Sequence, residues 1–195
     1  MPIACLRVPH FALRVALLER PELDGVPLVL SAPSAGRIIV ADRTPEAAAR
    51  GIQIGMAIRE ATALCPETVV LTPDPVREAT LGERLLTALE ALSPSVEADA
   101  AEPGCWYVDL RGLDRQLGLP PQAAQGLLTL APPALRPRVG VAPGKFAARV
   151  AAGRAGPGTA RVVDPAEVQS FLAGEAITWL PLPPETLRRL ERLGL

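Results

Sequence analysis

Two parts of the sequence hold residues whose types and spacing suit chemistry. The first runs AEPGCWYVDLRG, Ala101 to Gly112, and within it Trp106 to Leu110 has the apolar content of a buried strand closed by a Gly-containing turn. Asp109 sits inside that strand, and Glu97, Asp99 and Glu102 lie just ahead of it. Carboxylates on and beside a strand are the oxygen ligands that hard divalent cations need. Yet the residues directly before the strand are Pro103, Gly104 and Cys105. The stretch has the setting of a metal site without acids at its centre. The second part is APGKFAARVAAGRAG, in which Lys145, Arg149 and Arg154 follow at spacings of four and five, so that Lys145 and Arg149 share a helix face. Lys145 opens that helix, where backbone N–H groups favour an anion. This face suits the phosphates of DNA; a solvated helix face is the plain alternative.

Other chemistries are poorly served. His10 is the only histidine, which leaves no Ser-His or Cys-His pair to activate a nucleophile. Cys5, Cys65 and Cys105 are odd in number and far apart, with no CxxC, so they predict core thiols and neither a disulfide framework nor a zinc site. Residues 1–135 carry 11 basic and 16 acidic side chains, a net of −5, whereas residues 136–195 carry 9 and 5, a net of +4. Contact with phosphate is therefore expected in the last third. No apolar run approaches the roughly 20 residues of a membrane span, and MPIACLRVPHFALRV lacks the pattern of a signal peptide. The expected location is cytoplasmic.

The elements that must position these residues can be read from periodicity and punctuation. Strands are predicted at Ile3 to Val8, Pro27 to Ser31, Gly36 to Asp42, within TVVLTPD, at Trp106 to Leu110, at Pro137 to Ala142 and at RVVD. Helices are predicted at Phe11 to Leu18, Ile58 to Leu64, Val76 to Leu92, Pro121 to Leu130, Lys145 to Arg154, 166–173 and 184–193. TPEAAARG is a helix start, with Thr44 as N-cap, Pro45 at the first helical position and Gly51 as the stop. The order is mixed α/β (α+β), with the strands expected in one sheet.

Four stretches, LLERPELDGVPLVL, GRIIVADRTPEAAARGIQIGMAIREATALCP, WYVDLRG and VGVAPGKFAARVAA, occur in an order and spacing that resemble the palm and fingers of Y-family (translesion) DNA polymerases. The resemblance implies a palm at 1–9 and 67–165, fingers at 10–66 and a partial thumb with a helix-hairpin-helix region at 166–195, with the little finger absent. The family's reaction is nucleotidyl transfer by two divalent ions about 3.5–4 Å apart. Its metal-binding carboxylates fall on Arg7, Gly104 and Cys105, and its nucleotide-holding residues on Ala12, Pro45 and Ala48. The resemblance is greatest to the ImuB-type branch, which implies a catalytically inactive adaptor of SOS mutagenesis and translesion synthesis, no enzyme, with no metal and no cofactor. The partners so implied are a mutagenic replicative-type polymerase, a RecA-like protein, a sliding clamp and, weakly, DNA through Lys145, Arg149 and Arg154. The alternative is an active DNA-directed DNA polymerase with a displaced metal site built from Glu97, Asp99 or Glu102. At the thumb hairpin, Leu182-Pro183-Pro184-Glu185 lacks the amides that would grip phosphate, so a structural or protein-contact role is expected there.

Overall fold

A computed structural model describes residues 2–180 and 182–193. The strands divide into two sheets, not one. The larger holds β1 (Ile3–Arg7), β5 (Val96–Ala98), β6 (Cys105–Asp109), β7 (Arg138–Ala142) and β8 (Ala160–Val162), in the order β5-β6-β1-β7-β8. The smaller holds β2 (Leu28–Ser34), β3 (Arg37–Arg43) and β4 (Val69–Leu71), in the order β3-β2-β4. The split has a simple cause. After β1 the chain enters α1 (Phe11–Glu19), and β2 pairs antiparallel with β3 and parallel with β4, so all its edges are used within the smaller sheet. The short strand β5 and the single helical turn α5 (Asp114–Leu117) were not anticipated from periodicity, which needs longer segments to register.

Helix α1 joins the two sheets. Phe11 and Val15 bury against the larger sheet, where Phe11 meets Trp106 edge-to-face at 5.7 Å between ring centres. Leu13 and Leu17 point the other way, onto Leu28 and Leu30 of β2. The remaining face of the smaller sheet is covered by α2 (Pro45–Ala49) and α3 (Ile58–Leu64) through Ala47 and Ala61, with Ile52 from the connection between them. Thr44 caps α2 as anticipated, accepting a hydrogen bond from the Ala47 N–H at 3.3 Å. Gly51 follows with φ +84, a conformation that favours glycine.

The larger sheet is covered on both faces, as strand alternation requires. Leu6, Val8, Trp106, Val108, Val139 and Val141 pack under α1, α4 (Pro75–Glu90) and α6 (Pro120–Leu128). Cys5, Cys105, Tyr107 and Ala142 face α7 (Lys145–Arg154) through Ala147, Ala148, Ala151 and Ala152. A β-carbon on Gly140 would lie 2.1 Å from the Ala148 carbonyl oxygen and 2.2 Å from the Ala152 nitrogen, so α7 rests on backbone at this point. Beyond it come α8 (Val168–Ala173), a 3₁₀ turn at Ile177–Trp179 and α9 (Pro184–Arg192). Among the described residues no helix is long and apolar enough to cross a membrane.

Gly140→Ala is expected to destabilise the protein by more than about 2 kcal/mol in urea unfolding, because neither clashing group is a side chain that can turn aside. Gly126→Ala, in the last turn of α6 with nothing within 4 Å of its added carbon, should stabilise by up to about 0.5–1 kcal/mol. A Gly140→Ala midpoint at the parent's value would contradict the first statement, and a Gly126→Ala midpoint below the parent's the second. At the end of β6, Asp109 accepts hydrogen bonds from the Arg111 side chain at 2.7 Å and from its backbone N–H at 3.0 Å, the strand-end role its position suggests. These bonds hold the Asp109 carboxyl below the usual carboxylate range. Its contribution is thus present above the unfolded value of about 3.9 and disappears as pH falls through the folded value. Stability–pH curves of the parent and Asp109→Asn should separate above pH ~4 by less than about 1 kcal/mol and merge in acid.

Candidate functional site

The register of the larger sheet sets the site. Arg7, at the end of β1, has Cys105 of β6 and Arg138 of β7 as its two cross-strand partners. Strand alternation turns Arg7, Cys105 and Arg138 to the side of the sheet that α7 covers. Two of the three positions expected to have held metal-binding acids, Arg7 and Cys105, are therefore adjacent, and Gly104 precedes the second. Gly104 has φ +86, and a β-carbon there would lie 2.7 Å from Phe11 Cβ and 2.8 Å from the Val8 carbonyl oxygen. The position has no room for a side chain of any kind, so an acid there would require a different turn. Its carbonyl accepts the Val8 N–H at 2.7 Å, which fastens the turn to the end of β1.

The charge of Arg7 is balanced locally. Glu102, in the turn before β6, meets Arg7 Nε with one carboxylate oxygen at 2.5 Å and lies 3.7 Å from Arg149 Nε with the other. The side chains of Arg7 and Glu102 are 19% and 26% exposed, so the pair is partly shielded from water and separating it would leave a charge uncompensated. Asp99 accepts the Tyr107 hydroxyl at 3.0 Å and the backbone N–H groups of Ala101 and Glu102. Burial pushes the Tyr107 hydroxyl well above its usual range, with help from the neighbouring Cys105 and Cys5. Cys5 and Cys105 lie Sγ to Sγ at 3.5 Å, and that hydrogen bond, together with burial, raises the Cys5 thiol. They are core thiols.

The basic face of α7 is engaged by its own chain. Lys145 pairs with Glu97 and sits 5.7 Å from the Tyr107 ring centre. Arg149 donates to the Trp179 carbonyl at 3.2 Å, and the Trp179 ring lies 5.6 Å from the Arg7 guanidinium and 5.9 Å from that of Arg149. Arg154 is apart from this group and pairs with Glu175 at 2.7 Å. The candidate phosphate face thus divides into Lys145 and Arg149, which belong to the site, and Arg154, which does not. Of the positions expected to hold a nucleotide, Pro45 borders the same cavity as Arg7, whereas Ala12 lines a separate pocket with Glu19 and Arg77. Ala48 lines neither. Sequence reasoning missed Arg138, Tyr107 and Trp179. The first becomes visible only when β7 is set in register beside β1, and Trp179 only when the chain after α8 is seen to return over α7.

With the side chains paired as they stand no two-ion site is assembled; one would require the acids near Arg7 to exchange partners. Among the described residues no group of three His, Cys, Asp or Glu side chains could hold a metal. Arg7 pairs with Glu102, Glu97 with Lys145, and Asp99 accepts the Tyr107 hydroxyl.

Comparison with known proteins fixes the wider setting. The sequence profile described as the impB/mucB/samB family (IMS) matches residues 6–153. DNA polymerase IV of Caulobacter vibrioides is 28% identical over 201 aligned positions, covering 100% of this chain and 48% of its own length. DNA polymerase IV 2 of Mycobacterium tuberculosis is 27% identical over 195 positions, covering 95% and 54%. The chain spans about half the length of the curated relatives it matches. Among solved structures, DinB from Sulfolobus solfataricus superposes with a TM-score of 0.81 at 26% identity, over 100% of this chain and 57% of that one. The post-insertion binary complex of Dbh DNA polymerase superposes at 0.79 and 25%, over 100% and 58%. These findings bear out the palm-and-fingers fold class. They overturn the expectation that the chain is no enzyme: the relatives are named as DNA polymerases, which points to an enzyme, and loss of activity is not shown by the replaced acids alone. With most of its length matched by the family's profile and its whole length by the family's fold, the chain belongs to the impB/mucB/samB family, the Y-family of DNA polymerases.

Proposed function

We propose that the chain works in DNA-damage bypass, as the palm and fingers of a DNA-directed DNA polymerase. The observation that carries this reading is the match of nearly the whole chain to one half of proteins named DNA polymerase IV. In this reading 1–9 and 67–165 are the palm, 10–66 the fingers and 166–195 the start of the thumb; Pro181, Gly194 and Leu195 lie outside the described residues. The larger sheet is then the platform for the primer end and the smaller one the cover over the template base. Arg7, Lys145 and Arg149 provide positive charge on the platform, where phosphates of the strand or of the incoming nucleotide would be held. Glu97, Asp99 and Glu102 are the acids from which a displaced metal site would have to be drawn.

A second reading is favoured by one specific observation, the Arg7–Glu102 ion pair at the place where the family keeps acids. In it the chain is of the ImuB type and serves as an adaptor, joining a mutagenic replicative-type polymerase, a RecA-like protein and a sliding clamp.

Primer extension by the purified chain separates the two. Template-directed addition of a nucleotide in Mg²⁺ or Mn²⁺ is expected, with Glu102→Gln lowering its rate at least about tenfold, a rise of about 1.4 kcal/mol in the barrier. No addition with protein in excess over a primer–template that it binds would remove the polymerase reading and leave the adaptor.

A further inference from the structure

The chain between α8 and α9 comes back over α7 and makes its 3₁₀ turn at Ile177–Trp179. Two residues of α7 receive it. A β-carbon on Gly153 would lie 2.0, 2.7 and 3.0 Å from three carbons of the Trp179 ring, so the indole rests on bare backbone. Arg149, one turn earlier, donates to the Trp179 carbonyl at 3.2 Å. The ring stands 5.6 Å from the Arg7 guanidinium and 5.9 Å from that of Arg149. Exposure follows the ring. The side chains of Arg7 and Arg149 are 19% and 20% exposed, whereas those of Lys145 and Arg154, at the two ends of α7, are 50% and 47% exposed. The contact also has a competitor. Arg149 Nε is 3.7 Å from the Glu102 carboxylate, too far for a hydrogen bond, and it is buried with no hydrogen-bond partner among the described residues. The same guanidinium is spent on the Trp179 carbonyl instead. The chain before the turn is well anchored: Arg154 Nε lies 2.9 and 2.8 Å from the two Glu175 carboxylate oxygens, and Val168, Phe171 and Leu172 pack against the core under α7. The turn is therefore a short strap on a fixed anchor.

We infer that Ile177–Leu180 is an autoinhibitory latch, which when closed withholds Arg7 and Arg149 from a DNA strand on the platform and when open surrenders them. This rests on the proposed function for the presence of the strand; what it adds is control of access. Closed, the indole and its carbonyl engage both guanidiniums. Open, Arg149 is free to close on Glu102 or to meet a phosphate, and the ring no longer screens Arg7. Ring and strand compete for the same two cations, so each disfavours the other, and the coupling is reciprocal. A bound duplex opens the latch to the same degree that an open latch favours the duplex.

Two variants open the latch by different routes. Trp179→Ala removes the ring. Gly153→Ala keeps the ring but puts a methyl group where it sits, at a helical position that alanine suits. Binding of a primer–template duplex by the full chain is measured against salt concentration. Both variants are expected to bind about tenfold more tightly than the parent at low salt, the worth of one added charge-assisted hydrogen bond. The log–log salt slope should steepen by about 0.9 for each guanidinium released, which a merely structural role for Trp179 would not produce. The indole N–H signals in the NMR spectrum report the latch without DNA. That of Trp106, 3% exposed, stays in place, and that of Trp179 is expected to move in Gly153→Ala and, in the parent, on addition of the duplex. A Trp179 signal unmoved in both cases, or affinity and slope unchanged or lowered in both variants, would overturn the latch. Failure of the wider reading looks different. If the parent and both variants leave the duplex unbound, the strand on the platform is lost and this inference with it; if the parent binds and neither variant binds more tightly, the latch alone is lost.

Discussion

Helix α7 lies so close to the larger sheet that its backbone at Ala148 and Ala152 occupies the volume where a β-carbon on Gly140 would sit. That approach is possible because the helix presents alanines where longer side chains would hold it away. The geometry of the site follows from it. With α7 this near, Lys145 and Arg149 come down beside the β5–β6 turn, Glu102 falls within reach of both Arg7 and Arg149, and Tyr107 is shielded enough to keep its proton. A helix set one or two ångströms higher would leave the same residues as separate surface charges, each worth little.

The two sheets are held together by a helix that is apolar nearly all round. Phe11 and Val15 belong to one core, Leu13 and Leu17 to another. The cavity of arginines lies in the angle between them, so its shape depends on how the smaller sheet is carried relative to the larger. Arg7 and Arg138 come from one sheet and Arg43 from the other.

Much of the fold was legible because its elements obey simple periodicities. Ile58–Leu64 is closed by Cys65-Pro66, and the helix at Pro45 is marked by a cap, a proline and a glycine. The division into two sheets was not legible, since strand spacing along a chain does not reveal which edges pair. Nor was the short strand Val96–Ala98, which has too few residues for alternation to show. For the site, the replaced acids at Arg7, Gly104 and Cys105 could be picked out only by resemblance, and the structure adds that the second of these has no space for a side chain. Arg138 and Arg43 carried no signal in sequence, because an arginine every few residues is ordinary; they are brought beside Arg7 only by the meeting of β1, β3 and β7 around one cavity. Reading the replaced acids as proof of a silent protein went too far, because residue identity at three positions says what is missing and not what a rearranged neighbourhood can do.

Trp179 has a consequence of a different kind. The chain contains two tryptophans. Trp106 is buried against Phe11 and has no guanidinium or ammonium recorded over its ring. Trp179 is half-buried, with guanidiniums near its ring on Arg7 and Arg149, and it fills the space that Gly153 leaves open. The cations perturb the excited state of an indole far more than apolar neighbours do, so the two rings differ as fluorophores. Arg7 is shared by the wall of the cavity and by the underside of the Trp179 ring. Light emitted from Trp179 is in this way sensitive to where the Arg7 guanidinium lies, and hence to its pairing with Glu102.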